Sequence, residues 1–380
     1  MGLEKAKSLL PVKNGKTFLD LIAEQIKHTR TTFGSNVRFI LMNSFSTSAD
    51  TKDFLKQNHA DLMAEKDVEL MQNSSCKVDA ATLKPATYPQ HPEMEWAPPG
   101  HGDIYPSLVG SGMLDRLLED GVHYLFVSNS DNLGATLDLD LMSYFAESDK
   151  AFLMEVCERT ESDKKGGHLA KRKSDGRLML RESAMCPDED KASFENVTLH
   201  RFFNTNNLWV NLKKLKTALA AADGTLKLPL IKNKKTVNPR DGSSAPVFQL
   251  ETAMGSAIEC FDDAGAVVVP RSRFAPVKTC SDLFALRSDA YGLTEGSTIE
   301  LVAKKAPLVK LDDKHYKLVD QMDALTYSVP SLVECSKLTV KGAVKFESGV
   351  VCQGDVTLVN ENKDPVAVRG RSFADTEVTL

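Results

Sequence analysis

Apolar positions fall first into a helical spacing. Phe18, Leu19, Leu21, Ile22 and Ile26 line one stripe, and the spacing predicts an amphipathic helix that ends near Arg30. Val37-Arg38-Phe39-Ile40-Leu41-Met42 then predicts a buried strand, and residues 50–65 a helix carrying Phe54, Leu55 and Leu62. A proline-rich loop covers residues 92–99. Leu114, Leu117 and Leu118 predict another helix, closed by Gly121. The next strand, His123-Tyr124-Leu125-Phe126-Val127, runs straight into Ser128-Asn129-Ser130-Asp131. Phe152-Leu153-Met154-Glu155-Val156 and Ala266-Val267-Val268-Val269 add two more strands. Alternating strands and helices predict a parallel sheet in an α/β fold, with ligands beyond the carboxyl ends of the strands. The polar residues after Val127 and after Val269 are therefore expected to carry the chemistry.

The pattern changes from about Pro330. Short β-branched runs, 338–346 and 350–358, are punctuated by Gly342, Gly349 and Gly354. An antiparallel hairpin and coils of a parallel β-helix both fit this spacing.

Composition narrows the class. A length of 380 residues suggests two or three domains. With 42% hydrophobic and 26% charged residues, the chain is not globally disordered. Lys plus Arg is 47 against 52 Asp plus Glu, so a net charge of −5 does not suggest a nucleic-acid binder. No apolar run approaches the roughly 20 residues of a membrane span. Residues 1–11 contain no signal-peptide core. The seven Cys are dispersed without a CxxC pair, which fits reduced thiols in the cytoplasm and argues against a disulfide framework or a structural zinc site. There is no GxSxG, no Walker A loop and no HExxH, and nothing suggests covalent catalysis.

Several segments are candidates for a site, each with a plainer reading beside it. In Pro98-Pro99-Gly100-His101-Gly102-Asp103, two prolines stiffen the approach and the glycines admit backbone close to a ligand; a surface turn with a chance histidine is the alternative. Asp131 at a strand exit suits a hard divalent cation, or it caps the helix that follows. Glu161 to His168 is a charged glycine loop, most often a solvated connector, and Arg181-Glu182-Ser183-Ala184 a strand end. Phe202-Phe203-Asn204-Thr205-Asn206-Asn207-Leu208-Trp209 sets amides between aromatic rings, which suits sugar hydroxyls, or forms a polar turn. Arg271, Arg273 and Lys278 cluster after a strand, which suits phosphates, or form a solvated basic loop.

In order along the chain, Met1-Gly2 with Lys7-Ser8, Leu70-Met71-Gln72-Asn73, the Pro98–Asp103 segment, Ser128-Asn129-Ser130-Asp131-Asn132-Leu133, Phe203 to Trp209, Leu250-Glu251-Thr252-Ala253-Met254-Gly255 and Phe274-Ala275-Pro276-Val277-Lys278 resemble the eukaryotic-type UDP-glucose pyrophosphorylase family. The resemblance implies a Rossmann-like nucleotidyltransferase core with a mixed, mainly parallel sheet over residues 1–290. A left-handed parallel β-helix over residues 291–380 would follow. It implies that UTP and glucose 1-phosphate react with magnesium to give UDP-glucose and pyrophosphate, a step of carbohydrate metabolism. Lys278 and Lys7 would be catalytic. Gln72, Gly100, Asn129, Ser130 and Asp131 would bind the nucleotide, with Asp131 on the magnesium. His101, Gly166, Glu182, Asn204 and Asn206 would bind the sugar phosphate. Self-association through the β-helix is a further expectation. Relatives that take N-acetylhexosamine phosphates, or a silent fragment that only binds or oligomerises, are the competing readings.

Two departures from the family pattern stand out. Ser130 replaces a usual Gly, and only Met1-Gly2 remains of the glycine-rich loop. The chain is thus expected to lack the first strand and that loop, and to turn over poorly.

Overall fold

The computed structural model describes residue 1 and residues 5–380. Gly2, half of the Met1-Gly2 match, lies outside the described residues.

Helix α1, Phe18–Phe33, forms where the apolar stripe predicts it. Thr17 and Asp20 cap its N-terminus reciprocally, and Gly34, with φ +58°, ends it. Strands β1, Leu41–Asn43, and β2, Glu69–Met71, pair in parallel. The predicted strand from Val37 is thus shortened to its last residues and Asn43. The predicted helix over 50–65 is broken into Ser48–Asn58 and Ala60–Met63. His59 leaves the helical conformation at the break, and its Nε2 lies 2.8 Å from Asp20 Oδ1.

The main sheet contains β3, Tyr124–Val127, β4, Phe152–Glu158, β5, His168–Lys171, β6, Leu178–Arg181, and β7, Phe202–Asn211. Helix α2, Leu212–Ala221, follows β7 directly. Strands β8, Leu230–Thr236, and β9, Pro246–Thr252, form an antiparallel pair beside the main sheet, which β10, Gly265–Val268, completes. Strand β7 is antiparallel to β3 on one side and to β4 on the other, whereas β10 is parallel to β4. The expectation of a mainly parallel sheet therefore needs correction. β3, β4 and β10 share a direction, but the ten residues of β7 run against β3 and β4. The alternation of rings and amides in this segment hid a central strand.

Strand β4 is buried on both faces. Phe152, Met154 and Val156 meet Leu208, Val210, Leu117 and Leu215 in one core. Leu153 turns the other way, against Trp209 and Phe145. A cavity of about 960 Å³ separates β1 from β3 and is lined by residues of both strands, by Val37 to Ile40 and by Leu70. Val37 to Ile40, which face this space, are in no ladder.

Helix α3, Cys280–Arg287, leads to the C-terminal strands β11, Leu308–Lys310, β12, Cys335–Lys341, β13, Val344–Phe346, β14, Val351–Val359, β15, Val366–Val368, and β16, Ser372–Thr379. The ladder β11-β12-β14-β16 is parallel at every step, and β13 and β15 form a second parallel pair. Parallel pairing of β12 with β14 excludes the antiparallel hairpin. The core inside these strands, with Val340, Phe346 and Leu358, also takes in Leu10, Val12, Phe18 and Phe284. Among the described residues no helix is long and apolar enough to cross a membrane.

Candidate active site at the strand exits

The loop leaving β3 is fixed before any ligand arrives. Buried Asn132 donates to Asn207 Oδ1 at 3.2 Å and to the Arg273 carbonyl at 3.1 Å, and accepts from the Ala275 N–H. One residue earlier, the Asp131 carbonyl accepts from the Val277 N–H at 3.0 Å. The Asp131 carboxylate accepts from Lys7 Nζ at 2.7 Å, with the two side chains 20% and 31% exposed. Lys278 follows Val277, so Lys7, Asp131 and the Lys278 segment meet at one strand exit. The Lys278 ammonium lies 5.8 Å from the Phe274 ring centroid. Its backbone N–H donates to Asp282, which caps α3 together with Thr279. Asn129 is half-buried and Ser130 exposed at the tip of the loop.

Among the described residues, Lys278 alone of the three cations after β10 is in no carboxylate ion pair. Arg271 forks onto Asp163 with two contacts of 2.9 Å. Arg273 is buried and forks onto Glu155, both contacts 2.7 Å. Taking a guanidinium out of water is costly unless a carboxylate pairs with it. The donors of buried Arg273 thus serve the fold, whereas Arg271 is exposed beside Asp163.

The glycine turn forms the next wall. Gly100 has φ +85°, and a Cβ there would lie 2.6 Å from the Thr252 carbonyl. His101 Nδ1 accepts from the Met254 N–H at 3.0 Å. In the neutral ring the proton is then on Nε2, leaving that nitrogen as a donor. Burial holds the His101 pKa below its ordinary value, which favours the neutral ring. Asp103 accepts from the Asn73 N–H at 2.7 Å and so ties this turn to the loop carrying Gln72. Gln72 Oε1 is buried and finds no hydrogen-bond partner among the described residues. A buried amide oxygen left unpaired is costly, so this atom marks a place for a donor.

The third wall comes from β6 and β7. Asn204 and Asn206 bond reciprocally: Asn204 Nδ2 donates to Asn206 Oδ1 at 2.7 Å, and the Asn206 N–H to Asn204 Oδ1 at 2.8 Å. The strand ladder is interrupted here, and Asn206 takes a positive φ of 62°. Asn207 and Thr205 turn inward instead. Thr205 bonds the Glu155 carbonyl and Asn207 the Glu155 carboxylate. Glu182 lies after β6. Burial raises its pKa, and the charge of Lys278 partly opposes that rise. Gly167 packs against the Glu182 carboxylate, where a Cβ would approach to 2.6 Å, whereas Gly166 is exposed and meets only the Asp163 carbonyl.

Two features were not found from the sequence. Glu155, fully buried, receives Arg273, Asn207 and Trp209 Nε1 together. Its only trace was a lone acid inside an apolar strand. His168 and His200 stack with centroids 3.9 Å apart, and each has a buried Nε2 without a partner among the described residues. No group of three or more His, Cys, Asp or Glu side chains able to hold a metal occurs among the described residues.

The family model described as UTP–glucose-1-phosphate uridylyltransferase matches residues 1–353. The chain is 38% identical to the UTP–glucose-1-phosphate uridylyltransferase of Encephalitozoon cuniculi, with 100% of this chain and 74% of that protein covered. It is 39% identical to the enzyme of the same name from Saccharomyces cerevisiae, with 100% and 75% covered. Among solved structures, a UDP-glucose phosphorylase from Trypanosoma brucei superposes with a TM-score of 0.93 at 51% identity, with 100% of this chain and 82% of that one covered. A UDP-glucose pyrophosphorylase mutant from Leishmania major in complex with UDP-glucose gives 0.94 at 49%, with 100% and 83% covered.

Proposed function

This chain belongs to the UTP–glucose-1-phosphate uridylyltransferase family, and we propose from that premise that it joins UTP and glucose 1-phosphate into UDP-glucose and pyrophosphate. The observation that carries the reading is the junction at the β3 exit. Lys7, from the start of the chain, reaches Asp131 at 2.7 Å, while the Asp131 carbonyl holds the residue before Lys278. Two lysines and one carboxylate from distant segments suit a polyanionic substrate.

A phosphate oxygen of glucose 1-phosphate attacks the α-phosphorus of UTP in line, and pyrophosphate leaves. The second phosphate pKa is about 6, so the nucleophile is already largely dianionic and needs no base. The chain's task is to bring two anions together and stabilise the leaving charge. Lys7 and Lys278 do this by charge. His101 donates from Nε2 to a phosphate oxygen or sugar hydroxyl. The Gln72 amide and the Gly100 backbone read the uracil. Asn129 and Ser130 line the nucleotide side, and Glu182, Asn204, Asn206 and the Gly166 backbone face the sugar.

A magnesium ion fits the Asp131 carboxylate. One oxygen takes Lys7, and the other accepts no hydrogen bond among the described residues. With no cluster of acidic ligands nearby, phosphate oxygens and water would complete the shell, the usual pattern for this ion. Bound there, the ion would neutralise phosphate charge.

The parallel C-terminal ladders support a β-helix over residues 291–380, beside a catalytic unit over 1–290. Strand β16, paired on one side only among the described residues, supports self-association there. The seven free cysteines support a cytoplasmic, reducing setting.

The test is titration of the purified protein with UDP-glucose, together with an assay of UDP-glucose formation from UTP and glucose 1-phosphate. A chain that neither binds nor forms UDP-glucose would overturn the proposal.

A further inference from the structure

We propose that Gly255 is a positioning residue that sets hexose recognition separately from nucleotide recognition. The inference rests on the reading that Asn204 faces the sugar. A Cβ at Gly255 would lie 2.6 Å from Asn204 Nδ2 and 3.0 Å from Leu180 Cδ2, both closer than carbon ordinarily tolerates. The constraint is space, because the Gly255 φ is not in the left-handed region. Neither neighbour yields freely. Leu180 is a buried core residue. The Asn204 amide is held at both ends by Asn206, its oxygen taking the Asn206 N–H and its nitrogen giving to the Asn206 side chain. A methyl group at position 255 must therefore break this reciprocal pair and push the amide out of line.

The residue before it holds the other half of the site. The Met254 N–H fixes the His101 ring through Nδ1, and the Met254 carbonyl takes the buried Tyr105 hydroxyl at 2.7 Å. Neither bond passes through the Gly255 side-chain position. Adjacent residues thus hold two groups in different ways: Met254 sets the histidine tautomer by hydrogen bonding, and Gly255 sets the amide by leaving room. The ligand class on the Gly255 side is a hexose whose ring hydroxyls need an aligned amide donor and acceptor.

The experiment is calorimetric titration of UTP and of UDP-glucose into wild type, Gly255→Ala, Asn204→Ala and the double variant. Gly255→Ala should weaken UDP-glucose roughly tenfold, the loss expected for one well-placed hydrogen bond, and leave UTP within about twofold. In the Asn204→Ala background the same change should cost UDP-glucose less than about twofold, because no amide remains to be displaced. Equal UDP-glucose affinity for wild type and Gly255→Ala, or additive losses in the double variant, would overturn the inference alone. A wild type that bound neither ligand would overturn the site reading and the inference with it. If Gly255→Ala fails to fold while the double variant folds, the contact with Asn204 is shown directly. If neither folds, the room at Gly255 serves some other neighbour and the inference fails.

Discussion

The contact between Lys7 and Asp131 has a consequence that runs against intuition. If the carboxylate holds a cation and the ammonium a phosphate, then in the free protein each group blocks the other. Replacing Asp131 by Asn should therefore tighten UTP binding when no divalent ion is present. The pair is short, 2.7 Å, but its side chains are 20% and 31% exposed, so solvent screens much of the attraction. Pairs that water still reaches have a net worth of about 1 kcal/mol. Releasing Lys7 should thus improve metal-free UTP affinity by roughly fivefold. Removing a negative charge beside a triphosphate adds to the gain, and the two causes separate in a cycle with Lys7→Met. In a Lys7→Met background, Asp131→Asn has no ion pair to break and yields only the gain from reduced repulsion. The assay is UTP titration in chelator and again in millimolar magnesium. Asp131→Asn should bind more tightly in chelator and lose the benefit of magnesium. Unchanged or weaker binding in chelator, or an intact response to magnesium, would refute the reasoning.

Other tests address the lysine at the second strand exit, the buried network and the histidine stack. Lys278→Ala should lower kcat by ~10²–10³-fold, the usual loss for one charged donor acting on the transition state, and steady-state kinetics at saturating UTP would read it. Glu155→Gln should destabilise the protein by up to about 3–5 kcal/mol in urea unfolding, because buried Arg273 would keep only Asp138, 3.7 Å away, as a counter-charge; a loss under about 1 kcal/mol would refute this. The His168 pKa is pushed down to about 3, chiefly by burial, with His200, Arg159 and Arg181 adding to the effect. The unfolded chain takes up that proton below about pH 6.5, whereas the native chain does so only near 3, so stability falls as pH drops through this window. His168→Phe should flatten the acid limb between pH 7 and 5, and equal slopes for variant and wild type would count against a native His168 kept neutral.

Much of the fold was legible wherever one periodicity held over a whole element. Helix α1 carries a continuous stripe and a capping pair, and the exposed-face pattern leaves no rival reading. Strand β4 could be read because six consecutive positions are buried and apolar except Glu155. Strand β7 could not, because its polar residues answer to two different demands. Thr205 and Asn207 are buried by partners on β4, which lie some fifty positions earlier in sequence, and local spacing carries no record of them. The same gap explains Arg271 and Arg273. A cluster of basic residues looks alike whether it faces solvent, phosphate or its own carboxylates, and only the three-dimensional placement of Asp163 and Glu155 decides. The C-terminal ladders were undecided for a related reason, since strand length and glycine spacing do not encode whether neighbours run parallel. The candidate site is marked in the sequence by ordered motifs. The geometry added what motifs omit, such as the unpaired oxygen of Gln72 and the tautomer imposed on His101.

Strand β7 also has a bearing on how readily such a protein can change. Its side chains divide between an inward set, Thr205, Asn207 and Trp209, committed to Glu155, and an outward pair, Asn204 and Asn206, bonded chiefly to each other. A mutation in the outward pair alters what the pocket offers but leaves the buried charges compensated. A mutation of Asn207 or Trp209 takes a hydrogen-bond donor from the buried Glu155 carboxylate, which keeps Arg273 as its counter-charge. On the proposed reading of the site, a change of sugar preference at Asn204 is therefore cheap in stability. A library at Asn204, with Asn206 kept to residues that accept its positive φ of 62°, would sample new donors with little loss of folded protein.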